Sequence, residues 1–191
     1  MCACRWCRTL IDIGAMHRRL SALLLVALLP GALAAEPDDR EYEEPAPWTE
    51  EVKTLPELSQ EADLIALDVD GPQRNFKHYI DAKSVALYGD GVTTYAAVIV
   101  SDSGAKNIFL EGIRCDTGQY KTYAFGSSDG TYQKSQTATW QRVLRRSGPT
   151  NYRSDLLRYY LCDASGHPLK AKQIIERLKH PQLIPSRNSS Q

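Results

Sequence analysis

Between Val92 and Phe125 the chain reads VTTYAAVIV, SDSGAK, NIFLEGIRC, DTG and QYKTYAF. Three runs rich in Val, Ile, Thr, Tyr and Phe are separated by two short gaps carrying Gly, Asp and Ser. Branched and aromatic side chains fit a pleated surface, whereas Gly, Asp and Ser supply turn geometry. The pattern predicts a three-strand antiparallel meander. In the first run Thr94, Ala96, Val98 and Val100 alternate with Tyr95, Ala97 and Ile99. Both sets are mostly apolar or small, which predicts a central strand covered on both faces. In the second run Asn107, Phe109, Glu111, Ile113 and Cys115 alternate with Ile108, Leu110, Gly112 and Arg114. The cysteine shares its parity with Phe109 and Ile113, so it is expected to face a core near the strand's end. Gly112 inside a strand marks a bulge or a close contact.

Upstream, Asp63 to Val69 is a strand candidate with Ile65, Leu67 and Val69 on its better buried face. Phe76 to Leu87 is a second. There Phe76, Ile80 and Ala82 share one parity and Val85 and Leu87 the other, which predicts a bulge near Asp81 to Ser84. Tyr88-Gly89-Asp90-Gly91 is a turn. Downstream, Thr137 to Leu144 is expected as a loop leading into a short element. Asn151 is placed as the cap of a helix running to about Cys162, with Tyr152, Leu156, Tyr159 and Tyr160 on one side. Pro168 fits the first turn of a second helix. Its apolar stripe is Leu169, Ala171, Ile174, Ile175 and Leu178, with Lys170, Lys172, Arg177 and Lys179 on the remainder. The expectation is a single α+β domain, an antiparallel sheet of four to six strands packed with two C-terminal helices.

The N-terminus reads as a targeting segment. Met16-His17-Arg18-Arg19 is a basic head, Leu20 to Leu29 an apolar run, Pro30-Gly31 a breaker and Ala32-Leu33-Ala34 a small-x-small site. This predicts a signal peptide cleaved near Ala34 or Ala35. The ten-residue run falls short of the ~20 residues a spanning helix needs. Met1 to Ala15 reads as an upstream extension from a misplaced start. Its Cys2, Cys4 and Cys7 lack a second ligand cluster for a metal. The predicted organisation is 1–34 extension and signal peptide, 35–47 acidic flexible leader, 48–184 the α+β domain, and 185–191 a flexible tail. Residues 35–70 hold 13 acids against 2 bases, and the rest of the mature chain is basic by 8 charges. Opposite halves of this kind can attract each other within one molecule. A surplus so spread gives no footprint for nucleic acid. Only Cys115 and Cys162 remain after cleavage. In an oxidising compartment a disulfide is the expected outcome. Two free thiols or a redox pair are the alternatives, though a redox pair normally sits as Cys-x-x-Cys.

Chemistry-bearing patterns are sparse. His78, His167 and His180 are far apart and show no metal-ligand spacing. His78, Asp81 and Ser84 supply the residue types of a hydrolytic triad, but their directions diverge on a strand and no nucleophile-elbow string surrounds Ser84. No phosphate-cradling glycine motif occurs. The polar residue to watch is Arg114, with Glu111 three before it and Lys121 across the turn. One reading is an internal ion pair. The other is an anion or peptide-carboxylate contact on a surface of Arg114, Lys121, Tyr123 and Trp140.

The string Glu111-Gly112-Ile113-Arg114-Cys115, with Leu161-Cys162 downstream, resembles the cryptic neisserial protein-like family of exported envelope proteins. So do Trp48, Leu55-Pro56, Phe76 to Ser84, Asp90-Gly91, Ser103-Gly104-Ala105, Tyr120 to Ala124 and Trp140. The resemblance spans about Pro47 to Glu176. It implies a periplasmic location and transfers no catalytic residue, cofactor or metal. Some members are lipoproteins; this sequence has no cysteine at the cleavage point to accept lipid. The expected function is a non-enzymatic periplasmic module, structural or binding another envelope protein. The rival is a small-ligand or anion binder, or an enzyme of unrecognised chemistry, using Arg114, Tyr123 and Trp140. No transmembrane span is expected in the mature chain, and the basic face of the last helix is expected to be solvated rather than membrane-bound.

Overall fold

The structure, a computed structural model, describes residues 44–70, 75–145 and 148–184. The expected signal peptide and cleavage site, most of the expected acidic leader, the Gly71-Pro72 break and the expected tail from Pro185 lie outside the described residues. Nearly all that is described belongs to one compact unit, Ala46–Gln191.

Seven strands form one antiparallel sheet. They are β1 (Leu64–Ala66), β2 (Phe76–Leu87), β3 (Val92–Ser101), β4 (Lys106–Arg114), β5 (Gln119–Gly126), β6 (Tyr132–Lys134) and β7 (Gln141–Arg142). They pair in sequence order from β1 to β6, while β7 pairs with the other end of β5. The four long strands are those read from the sequence, and β1 is the strand candidate over 63–69 in a shorter form. Two further short strands at the margin, β6 and β7, bring the total to seven, above the expected upper bound. Two- and three-residue strands carry too few side chains to show alternation, so β6 and β7 are invisible to pattern reading. The loop expected over 137–144 thus ends in β7.

β3 is the central strand, and Val92 to Ile99 are all buried. On one face Tyr95, Ala97 and Ile99 join Ile80, Ile113 and the helices in the main core. On the other, Ala96 packs with Leu110, Ala124 and Leu55 in a smaller cluster. The predicted bulge in β2 is present: Asp81 faces Ala96 but Ala86 faces Thr94. The missing rung is filled by a side chain. Ser84 Oγ accepts the Ala96 N–H at 2.6 Å and donates to the Asp81 carbonyl at 2.7 Å.

After β7 the chain forms α1 (Tyr152–Asp155), which continues as a π-helical stretch, Leu156–Leu161. Tyr152, Leu156, Tyr159 and Tyr160 are all at most 1% exposed. Each such side chain contributes roughly 1.5–3 kcal/mol of burial, so this helix is held by its packed face rather than by propensity. Asn151 does not cap with its side chain. Its amide donates instead to the Asp70 carbonyl at 3.1 Å, tying the helix start to the chain after β1. The second helix, α2 (Ala171–Lys179), begins later than predicted. Pro168 lies before it, in an isolated bridge with Cys162. Ile174 and Leu178 anchor α2 in the core. Arg177 is not surface decoration: its Nη1 donates to the Tyr159 and Cys162 carbonyls at 2.8 and 3.4 Å, satisfying the open end of α1.

Cys115 and Cys162 form a disulfide, with Cα atoms 5.6 Å apart and a sequence separation of 47. It joins the chain leaving β4 to the end of the π-helical stretch. Acidic and basic segments also meet, through Glu50 with Lys121, Glu61 with Lys106 and Asp63 with Lys83.

Candidate functional site

Arg114, Lys121, Tyr123 and Trp140 lie together, and what gathers them is the segment before the sheet. β4 and β5 pair with Gly112 opposite Lys121 and Arg114 opposite Gln119, which puts both cations on the face turned away from the helices. Residues 46–60 cross this face as an extended strap without regular secondary structure. Trp48 donates its indole N–H to the Asp90 carbonyl at 2.8 Å. The Arg114 guanidinium stacks 3.7 Å over the Trp48 ring, and Trp140 meets Trp48 edge-on at 5.9 Å.

Two residues further on, the Glu50 carboxylate enters the cluster. It accepts from Lys121 Nζ at 2.9 and 3.2 Å, from Tyr123 Oη at 2.9 Å and from Trp140 Nε1 at 3.2 Å. Burial alone would push its pKa up, but the bonds from Lys121, Tyr123 and Trp140 outweigh that and hold it below the usual glutamate value. Burial and the same carboxylate push the Tyr123 phenol up. Lys53 then pairs with Asp90, with both side chains 2% exposed. Leu55 closes the strap over Ala96, Leu110 and Ala124.

Gly112 is the close-contact glycine that its place in β4 suggested. A Cβ there would come within 2.8 Å of both the Tyr123 ring and Val92. Its bare backbone leaves room for that ring, whose hydroxyl reaches Glu50.

The internal ion pair of Arg114 is with Asp116, at 2.6 and 3.2 Å, and not with Glu111. Residues three apart on a strand point to opposite faces. Glu111 points into the main core and is fully buried. It accepts from Tyr95 Oη at 3.0 Å, Tyr152 Oη at 2.9 Å, Thr122 Oγ1 at 3.0 Å and from Arg153 at 2.5 and 3.1 Å. Burial, reinforced by the Glu111 charge, pushes the Tyr95 and Tyr152 phenols far up, so both stay protonated donors. Sequence reasoning missed this hub. Its signal was available: a carboxylate at the parity of Phe109, Ile113 and Cys115 faces the core and must find partners there. Glu50 had no comparable signal, being one acid among many in the leader.

His78, Asp81 and Ser84 do not assemble into a relay. The His78 ring is buried against the Pro149 carbonyl at 2.9 Å, and Asp81 accepts the Lys83 N–H at 2.9 Å. Ser84 is committed to the bulge. Among the described residues no group of three His, Cys, Asp or Glu side chains is placed to hold a metal ion. Nor is any described helix long and apolar enough to cross a membrane.

A family model described as the CNP1-like family matches residues 43–179. No curated protein and no solved structure matches the chain.

Proposed function

The chain belongs to the CNP1-like family, and from that premise we propose that it is a periplasmic, non-enzymatic module that binds another envelope protein. The observation that carries the binding role is the strap. One sheet face already holds an extended peptide, residues 47–55 of the same chain, through a cation stacked on an aromatic ring, a carboxylate bonded to a lysine and an apolar contact. The strap in turn presents Val52, 94% exposed, and Trp48, 40% exposed, to solvent. A partly solvent-facing Trp is the kind of anchor that dominates protein interfaces. The periplasmic location rests on the basic head, apolar run and Ala-x-Ala site upstream, and on a disulfide suited to an oxidising compartment.

A free small anion at Arg114, Tyr123 and Trp140 is the weaker reading, because Glu50 already supplies the carboxylate to Tyr123 and Trp140. The test is affinity capture from envelope extract with the mature protein and with a Val52→Glu variant. An envelope protein held by the first and lost by the second, with thermal melting unchanged, is the expected result. Identical captured sets would refute the role of this surface.

A further inference from the structure

Beyond the strap there is a cavity of about 300 Å³ beside β7, at the start of α1. Its walls include Tyr120, Arg142, Val143, Leu144, Thr150 and Arg153. That volume is at the lower end of small-molecule sites.

Arg153 gives the cavity its chemistry. Its Nε–H and one Nη2–H are spent on Glu111. A guanidinium has five N–H groups in a fixed fork, and the two on its outer end, one on Nη1 and one on Nη2, point away from Glu111. Among the described residues the acceptor bonded to Nε and Nη2 is Glu111, and none is bonded to Nη1. The guanidinium is locked in place by the Glu111 bonds and by stacking 4.1 Å over the Tyr120 ring. Burial works against its charge, but Glu111 outweighs that and holds it protonated.

Arg142 is the second cation, exposed on a two-residue strand whose backbone pairs with Gln119. Glu111 neutralises Arg153, so Arg142 leaves the cavity with an unbalanced positive charge among its lining residues. Val143 and Leu144 form an apolar wall, and Leu144 is 49% exposed. Preformed donors, one unbalanced cation and an apolar wall suit an anionic head on a compact apolar body.

We propose that the cavity between β7 and α1 binds a small organic carboxylate, its head on Arg153 and Arg142 and its body on Val143 and Leu144. This site is separate from the strap face and does not depend on it.

Isotope-labelled, oxidised mature protein titrated with benzoate, acetate, benzamide and inorganic phosphate tests the proposal by NMR. Benzoate is expected to shift the Val143 and Leu144 amides and the Arg153 side-chain N–H signal along one saturable curve. Acetate, lacking the body, binds about tenfold more weakly, the equivalent of 1.4 kcal/mol. Benzamide, lacking the charge, gives no saturation. Arg153 is unsuitable for substitution because Glu111 would be left buried and unpaired. Arg142→Gln instead removes an exposed charge and should weaken benzoate about tenfold, by loss of a charge-assisted contact, at unchanged melting temperature. The proposal fails if benzoate does not saturate or benzamide matches it. It fails equally if acetate or phosphate binds as tightly as benzoate, or if Arg142→Gln binds as the parent does.

Discussion

At Glu111 two carboxylate oxygens serve four side chains, Tyr95, Tyr152, Thr122 and Arg153, drawn from β3, β5 and α1. Glu111→Gln keeps the size but leaves Arg153 without its counter-charge. Breaking a buried pair costs roughly 3–5 kcal/mol, and the lower end applies because Arg153 borders an open cavity. Urea denaturation of the oxidised protein should show a loss of about that size, with fluorescence and far-UV signals still coincident.

Glu50 makes a different prediction. Its folded pKa lies below the ordinary 4.5. Its contribution is therefore complete above pH 4.5 and is lost as the pH falls from there through the lower folded value. Asp90, held low against its own burial by Lys53 and the Glu51 and Val92 N–H groups, acts in the same direction below its ordinary 3.8. Burial also lowers the His78 pKa, so His78 favours unfolding as the pH falls from its ordinary 6.5, a window above that of Glu50. Trp48 and Trp140 are the only tryptophans after residue 34, and both lie on the strap cluster. Their fluorescence should therefore report an acid transition below pH 4.5, and Glu50→Gln should remove part of it. An unchanged acid profile in that variant would count against the Glu50 clamp.

Among the elements, β2 and β3 stay paired across their bulge because the Ser84 hydroxyl replaces a backbone partner. Ser84→Ala leaves the buried Ala96 N–H unsatisfied, a loss of roughly 1–3 kcal/mol. Hydrogen exchange should show the Ala96 amide losing protection while the rungs between β3 and β4 keep theirs. α1 is fixed at both ends, by the Asn151 amide at Asp70 and by Arg177 and the disulfide at its close. For a loop of 47 residues the chain-entropy estimate of the disulfide is about 4 kcal/mol. A Cys115→Ser, Cys162→Ser double variant should lose stability of that order in denaturant titration, and adding reductant to the parent should reproduce the loss.

For the whole molecule, the export proposal sets what natively produced protein should look like. Intact mass should give a start near residue 35 and no free thiol. A chain retaining its leader, or two reduced cysteines, would remove the basis for a periplasmic role. The CNP1-like match over 43–179 begins ahead of the first strand and takes in the strap. The strap is thus within the family's domain, and deletion of residues 35–58 should expose Ala96, Leu110 and Ala124 and lower solubility.

The sequence by itself determined the four long strands, the β2 bulge, the two helices and the apolar faces they bury. Each of these repeats over enough residues for its period to be read, two in strands and 3.6 in helices. It also marked Gly112 as a bulge or a close contact, because a glycine inside an otherwise branched strand weakens it unless the backbone needs the room. Tertiary structure alone decided which charges meet. Glu50 reaches Lys121 and Glu111 reaches Arg153 across 71 and 42 residues of chain. A single charged residue has no period, and its partner is set by how the sheet and strap close. The same reason hid β6 and β7, the Arg177 cap and the Arg153 cavity, each of which depends on neighbours that are distant in sequence.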